Sequence, residues 1–144
     1  MTNISNKKIK KPRLKGFAKL LGSIIDSVKD TEECKFFLIG VKTRVLLNFT
    51  DGKWATLITV KDGNIIVEGV RNEPKSNLKR KKLFWWGYFE GKSEDFFVKS
   101  ANWSFGKLFR KMAEGKVKGA SQIAIIGEIL KLAASTRTPL PSST

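Results

Sequence analysis

Between Val41 and Val70, apolar and β-branched residues recur with a period of two, broken only at Asp51-Gly52 and Asp62-Gly63. Val45, Leu47 and Phe49 alternate with Arg44, Leu46 and Asn48. Trp54, Thr56, Ile58 and Val60 alternate with Ala55, Leu57 and Thr59, and Ile65, Val67 and Gly69 with Ile66, Glu68 and Val70. That period is the signature of strands, whose successive side chains point to opposite faces. Asp-Gly suits a two-residue type I′ turn, which needs positive φ at both central positions. The pattern predicts three antiparallel strands in a meander from Lys42 to Val70. Both faces are largely apolar, so both need cover, or one faces a cavity or a partner.

The flanking segments change period. Phe17, Leu20, Leu21, Ile24, Ile25 and Val28 line one face of a helix, with Lys19, Ser23, Asp26 and Lys29 on the other. Cys34 to Ile39 fits either a short strand or the end of a second helix. Arg71 to Lys82 lacks apolar spacing and is predicted to be a long exposed loop. Leu83 to Phe89 and Glu94 to Lys99 read as strands. Ser104 is placed to cap a helix carrying Phe105, Leu108, Phe109 and Met112 on its apolar stripe, with Lys107, Arg110, Lys111 and Glu114 outward and Gly115 as its stop. The last apolar segment, Ile123 to Ala134, has no decisive period. Residues 1–15 predict a disordered basic arm, 16–134 a single domain, and 135–144 a flexible tail.

Charge sharpens this picture. The chain carries a net charge of +15, with six bases and no acid in residues 1–15 and four more at Lys79, Arg80, Lys81 and Lys82. Outside those ten, 18 basic residues face 13 acidic ones, so the body is only mildly basic. Two concentrated patches attract polyanions by field: nucleic acid, an anionic membrane surface or an acidic protein. Ten of the fifteen aromatic residues fall between Leu83 and Phe109.

Candidate chemistry is mostly excluded. The chain has no histidine, hence no imidazole base, no Ser-His or Cys-His pair and no His-containing metal cluster. Its carboxylates are scattered, and its glycines form no phosphate-cradling loop. The single Cys34 excludes an intrachain disulfide framework and a Cys-rich metal site, and favours a cytoplasmic protein. Lys19 and Asp26 interrupt the first apolar stretch, so neither a secretory leader nor a membrane span is expected there. A protein without catalytic activity, metal or cofactor is expected.

The order of elements is similar to a known family. Val45-Leu46-Leu47-Asn48-Phe49-Thr50-Asp51-Gly52, Val60-Lys61-Asp62-Gly63-Asn64-Ile65 and Ser93-Glu94-Asp95-Phe96 carry the likeness, and so does the run from Phe105 through Glu114-Gly115-Lys116 to Ile126-Gly127-Glu128-Ile129-Leu130-Lys131-Leu132. Over about residues 16–134 this resembles the sterol carrier protein 2-like lipid-binding domains. The resemblance implies an α+β fold in which amphipathic helices cover a largely antiparallel five-stranded sheet and enclose an apolar tunnel for a fatty acid, sterol or other lipid. It implies binding or transfer of that lipid. In that picture Trp86, Phe105, Leu108, Phe109, Met112 and Ile125 line the tunnel, and Lys79, Arg80, Lys81 and Lys82 hold a head group at its mouth. The basic arm and the Leu83 to Tyr88 aromatic run depart from the family pattern.

Two other readings stay open. Exposed aromatics beside basic runs suit single-stranded nucleic acid, through stacking on Trp85, Trp86 and Tyr88 and phosphate contacts from Lys79 to Lys82. The other is a scaffold or partner-binding role without a small ligand.

Overall fold

The computed structural model describes residues 14–96 and 105–137. The predicted arm up to residue 13, the aromatic residues Phe97 and Trp103, the Ser104 cap and the tail from residue 138 lie outside the described residues. Helix α1 (Gly16–Asp26) leads into α2 (Glu32–Phe37), followed by strands β1 (Thr43–Phe49), β2 (Trp54–Lys61) and β3 (Asn64–Arg71). A 3-10 turn (Lys75–Leu78) and a short helix α3 (Arg80–Leu83) precede β4 (Gly87–Gly91). Helix α4 (Phe105–Ala113), strand β5 (Val117–Lys118) and helix α5 (Ala120–Arg137) complete the chain. Among the described residues no helix is long and apolar enough to cross a membrane.

The five strands form one mixed sheet in the order β3-β2-β1-β4-β5. The predicted meander is present, with Val45 opposite Ile58 and Ile58 opposite Val67. The sheet is not antiparallel throughout: β1 and β4 run parallel, Leu47 facing Phe89. The reason is topological. After the meander the chain leaves the β3 edge and returns to pair beside β1, and the crossover 72–86 brings β4 in along the direction of β1. That crossover also covers one sheet face, where Leu78 and Trp85 pack over Leu46, Leu57 and Tyr88. The opposite face lies under α1 and α5, with Val45, Leu47, Phe49, Ile58, Val60 and Phe89 in the main core.

The two Asp-Gly steps behave differently. Asp62 and Gly63 have φ of 53° and 79°, and Lys61 pairs with Asn64, giving the predicted two-residue turn. Asp51-Gly52 instead belongs to a four-residue connection, in which the Gly52 N–H donates to the Phe49 carbonyl at 3.1 Å. A Cβ on Gly52 would lie 3.1 Å from the Phe17 ring, so close approach is what calls for glycine here.

Other expectations need correction. Cys34 to Ile39, left open between strand and helix, is largely helical, because Thr31 caps α2 by accepting from the Cys34 N–H at 3.2 Å. Arg71 to Lys82 is not a featureless loop; its 3-10 turn buries Leu78. The predicted strand from Leu83 shrinks to Gly87–Gly91, since α3 ends in the left-handed Phe84 (φ 54°) and the Trp85 indole donates to the Leu78 carbonyl at 2.9 Å. Residues 93–96 are helical where a strand was expected. The ambiguous last segment is the helix α5. In α1 the fully buried line is Ala18, Leu21, Gly22 and Ile25, which leaves Leu20 47% exposed.

Candidate functional site

Two regions bring candidate residues together, one on each face of the sheet. On the helical face, α5 buries Ile126, Ile129 and Ala133 completely, a line at i, i+3 and i+7 that packs on the main core. Its apolar surface extends well beyond that line. Ile123, Ile125, Leu130 and Leu132 pack against the core yet are only half-buried. The N-terminus of α5 is locked to the sheet: the Thr43 hydroxyl donates to the Gln122 side-chain oxygen at 2.5 Å. A Cβ on Gly119 would lie 2.2 Å from the Trp86 carbonyl oxygen, so the chain passes β4 at a distance only glycine permits.

Helix α4 packs on β5 and ends where Gly115 adopts φ 77°. Met112 is 40% exposed. The side chains of Phe105, Leu108 and Phe109, predicted with it as tunnel lining, lie outside the described residues. Ile125 lies on the half-buried flank of α5, whereas Trp86 precedes β4 and is 44% exposed.

On the other face the crossover forms a groove of about 420 Å³ that is open to solvent. Its floor is a buried aromatic pair, Trp85 and Tyr88, stacked with centroids 5.0 Å apart and planes at 28°. The Tyr88 hydroxyl donates to Glu90 Oε1 at 2.6 Å, and Lys75 Nζ lies 3.1 Å from the same oxygen. Burial, reinforced by the bond to Glu90, pushes the Tyr88 phenol above its ordinary value. Burial opposes the charge on Glu90, but the Tyr88 hydroxyl and the Lys75 ammonium outweigh it and hold the carboxyl below its ordinary value.

The predicted basic run is divided by this geometry. Lys79 lines the groove. Arg80 folds over Trp85, its guanidinium carbon 5.1 Å from the ring centroid and its Nε–H donating to the Trp85 carbonyl at 3.0 Å. Lys81 and Lys82 are exposed on α3 and do not line the groove. Lys75 and Lys118 join it from elsewhere in the chain, Lys118 Nζ lying 5.9 Å from the same Trp85 ring. Sequence reasoning missed these two lysines. Tyr88 and Glu90, two apart on one strand, were a readable signal that a phenol and a carboxylate share a face.

Other reactive groups are quiet. Cys34 is fully buried, and burial together with nearby Asp30 pushes its thiol up, away from the reactive thiolate. Among the described residues no group of three or more His, Cys, Asp or Glu could hold a metal ion. Comparison of the chain with protein-family models, with curated proteins and with solved structures finds no match in any of the three.

Proposed function

We propose that this protein binds a lipid without catalysis, holding an acyl chain, sterol or similar apolar ligand against the helical face of the sheet. One observation carries the reading: α5 is apolar around much of its circumference, but among its described side chains only Ile126, Ile129 and Ala133 are fully buried. A helix apolar on more sides than its own core covers has surface to offer an apolar ligand. Helix α4, with a sequence stripe of Phe105, Leu108, Phe109 and Met112 opposite Lys107, Arg110 and Lys111, adds a second amphipathic element of the kind that meets lipid. The resemblance of residues 16–134 to sterol carrier protein 2-like domains supports the same reading, and the five-stranded sheet under helices agrees with its coarse outline.

Native mass spectrometry of the purified protein tests it, followed by uptake of a fluorescent fatty acid. A bound acyl lipid, or saturable uptake that falls at least tenfold in Met112→Glu plus Ile125→Glu, is the expected result. An empty protein that takes up no probe overturns it.

A single-stranded nucleic-acid reading is favoured by a different observation: Phe84 and Trp86, 66% and 44% exposed, directly follow the basic residues of α3. Oligonucleotide binding that weakens steeply with salt, and weakens further in Trp86→Ala, is its expected mark.

A further inference from the structure

We propose that the groove between the Lys75–Leu78 turn and β5 is a binding site for a phosphate group, held by Lys79, Lys118 and the hydroxyl of Ser76 over the Trp85 ring. Three segments distant in sequence build it: the 3-10 turn, β4, and the Gly115–Lys118 stretch that enters β5. The proposal does not depend on the lipid reading, because α1 and α5 lie on the other side of the sheet.

Charge balance in the groove favours an anion. Glu90 is the carboxylate lining the groove, and its charge is already taken up by the Tyr88 hydroxyl at 2.6 Å and the Lys75 ammonium at 3.1 Å. Among the described residues no ion pair engages Lys79, Arg80 or Lys118. Arg80 and Lys118 nevertheless approach the same indole ring, at 5.1 and 5.9 Å. With Lys75 and Glu90 paired to each other, Lys79 and Lys118 leave the groove with a surplus of positive charge, and Arg80 adds to it from beside the Trp85 ring. An anion entering the groove balances that surplus. A phosphate monoester fits better than a carboxylate, for it carries close to two negative charges at neutral pH and three acceptor oxygens for ammonium and hydroxyl donors. At about 420 Å³ the groove also has room for the group that bears the phosphate.

Nuclear magnetic resonance of the full chain tests the site. Inorganic phosphate, titrated at constant ionic strength against a chloride control, should shift the amide signals of Ser76, Tyr88 and Lys118 saturably. Lys118→Ala and Lys79→Ala should each weaken that response at least threefold, and together at least tenfold; all of these side chains are exposed, so the fold is expected to survive. Shifts that do not saturate, that chloride reproduces, or that persist unchanged in the double variant overturn the proposal. Flotation with phosphatidylcholine vesicles containing phosphatidic acid identifies the source: binding lost in the double variant assigns a lipid head group, and vesicle binding unaffected beside a lost phosphate response assigns a soluble phosphate. Lipid retention measured on the same samples separates the two ideas, since an empty protein with an intact phosphate response fails the lipid reading alone.

Discussion

Asp51 holds Ser93 by both carboxylate oxygens, accepting from its backbone N–H at 3.0 Å and from its hydroxyl at 2.7 Å. This joins the β1–β2 connection to the helical turn at 93–96, 42 residues later. Burial works against the Asp51 charge, but the Ser93 bonds, together with its own backbone N–H and nearby Lys92, outweigh it, so its carboxyl sits below the ordinary value. A carboxyl depressed on folding stabilises the native state above its unfolded pKa, and the contribution is lost as pH falls through the folded value. Asp51→Asn should lower stability near neutral pH by less than about 1 kcal/mol, given its exposure. The difference from the parent should shrink in acid, which urea titrations at pH 7 and pH 2.5 would reveal; an unchanged difference at the lower pH refutes the assignment.

The Tyr88–Glu90–Lys75 chain gives an alkaline counterpart. With the phenol raised above its ordinary 10.0 in the folded state, the native protein keeps a proton that the unfolded chain releases, so stability falls as pH climbs past about 10. Tyr88→Phe should remove that part of the alkaline loss. At neutral pH the variant should cost about 1–2 kcal/mol, because half-buried Glu90 loses a donor. Denaturant midpoints measured between pH 7 and pH 11 check both parts.

Two left-handed glycines separate conformational strain from steric clash. Gly63 and Gly119 have φ of 79° and 61°, but a Cβ on Gly63 meets nothing within 4 Å, while one on Gly119 meets the Trp86 carbonyl at 2.2 Å. Gly63→Ala should cost about 1–2 kcal/mol from backbone strain alone. Gly119→Ala should cost clearly more, as β4 and α5 must move apart. Thermal melts that give equal losses would rule out the close approach.

Neighbouring isoleucines on α5 make opposite predictions. Ile126 is fully buried, so Ile126→Ala should destabilise by about 2–4 kcal/mol through transfer and cavity losses. Ile125 is half-buried, and Ile125→Ala should cost under about 1.5 kcal/mol while weakening retention of an apolar probe. Chemical denaturation and probe uptake, run on the same two variants, read the two effects separately.

Local pattern carried much of the architecture. The period-two runs on either side of Asp51 and Asp62 are strands, the amphipathic stripe from Phe17 is α1, and the stripe ending at Gly115 is α4. These are legible because strand and helix periodicity, turn glycines and caps act between residues a few positions apart. The Leu83 to Phe89 run misled for the same reason. Its β-forming residues favour a strand locally, but Trp85 gains more by lying on Tyr88 and bonding Leu78 than by extending β4.

The parallel pairing of β1 with β4 has no local signature, because it follows from where the crossover must end. The groove is of the same kind: Lys75, Glu90 and Lys118 share it only because 72–86 folds back over the sheet and β5 pairs beside β4. Even the twin Asp-Gly steps divide along this line. One makes the turn that its dipeptide favours, while the other yields that geometry so that Asp51 can reach Ser93 and Gly52 can pass the Phe17 ring. Element type follows from short-range preference, whereas neighbours distant along the chain are chosen by burying both apolar faces of the sheet at once.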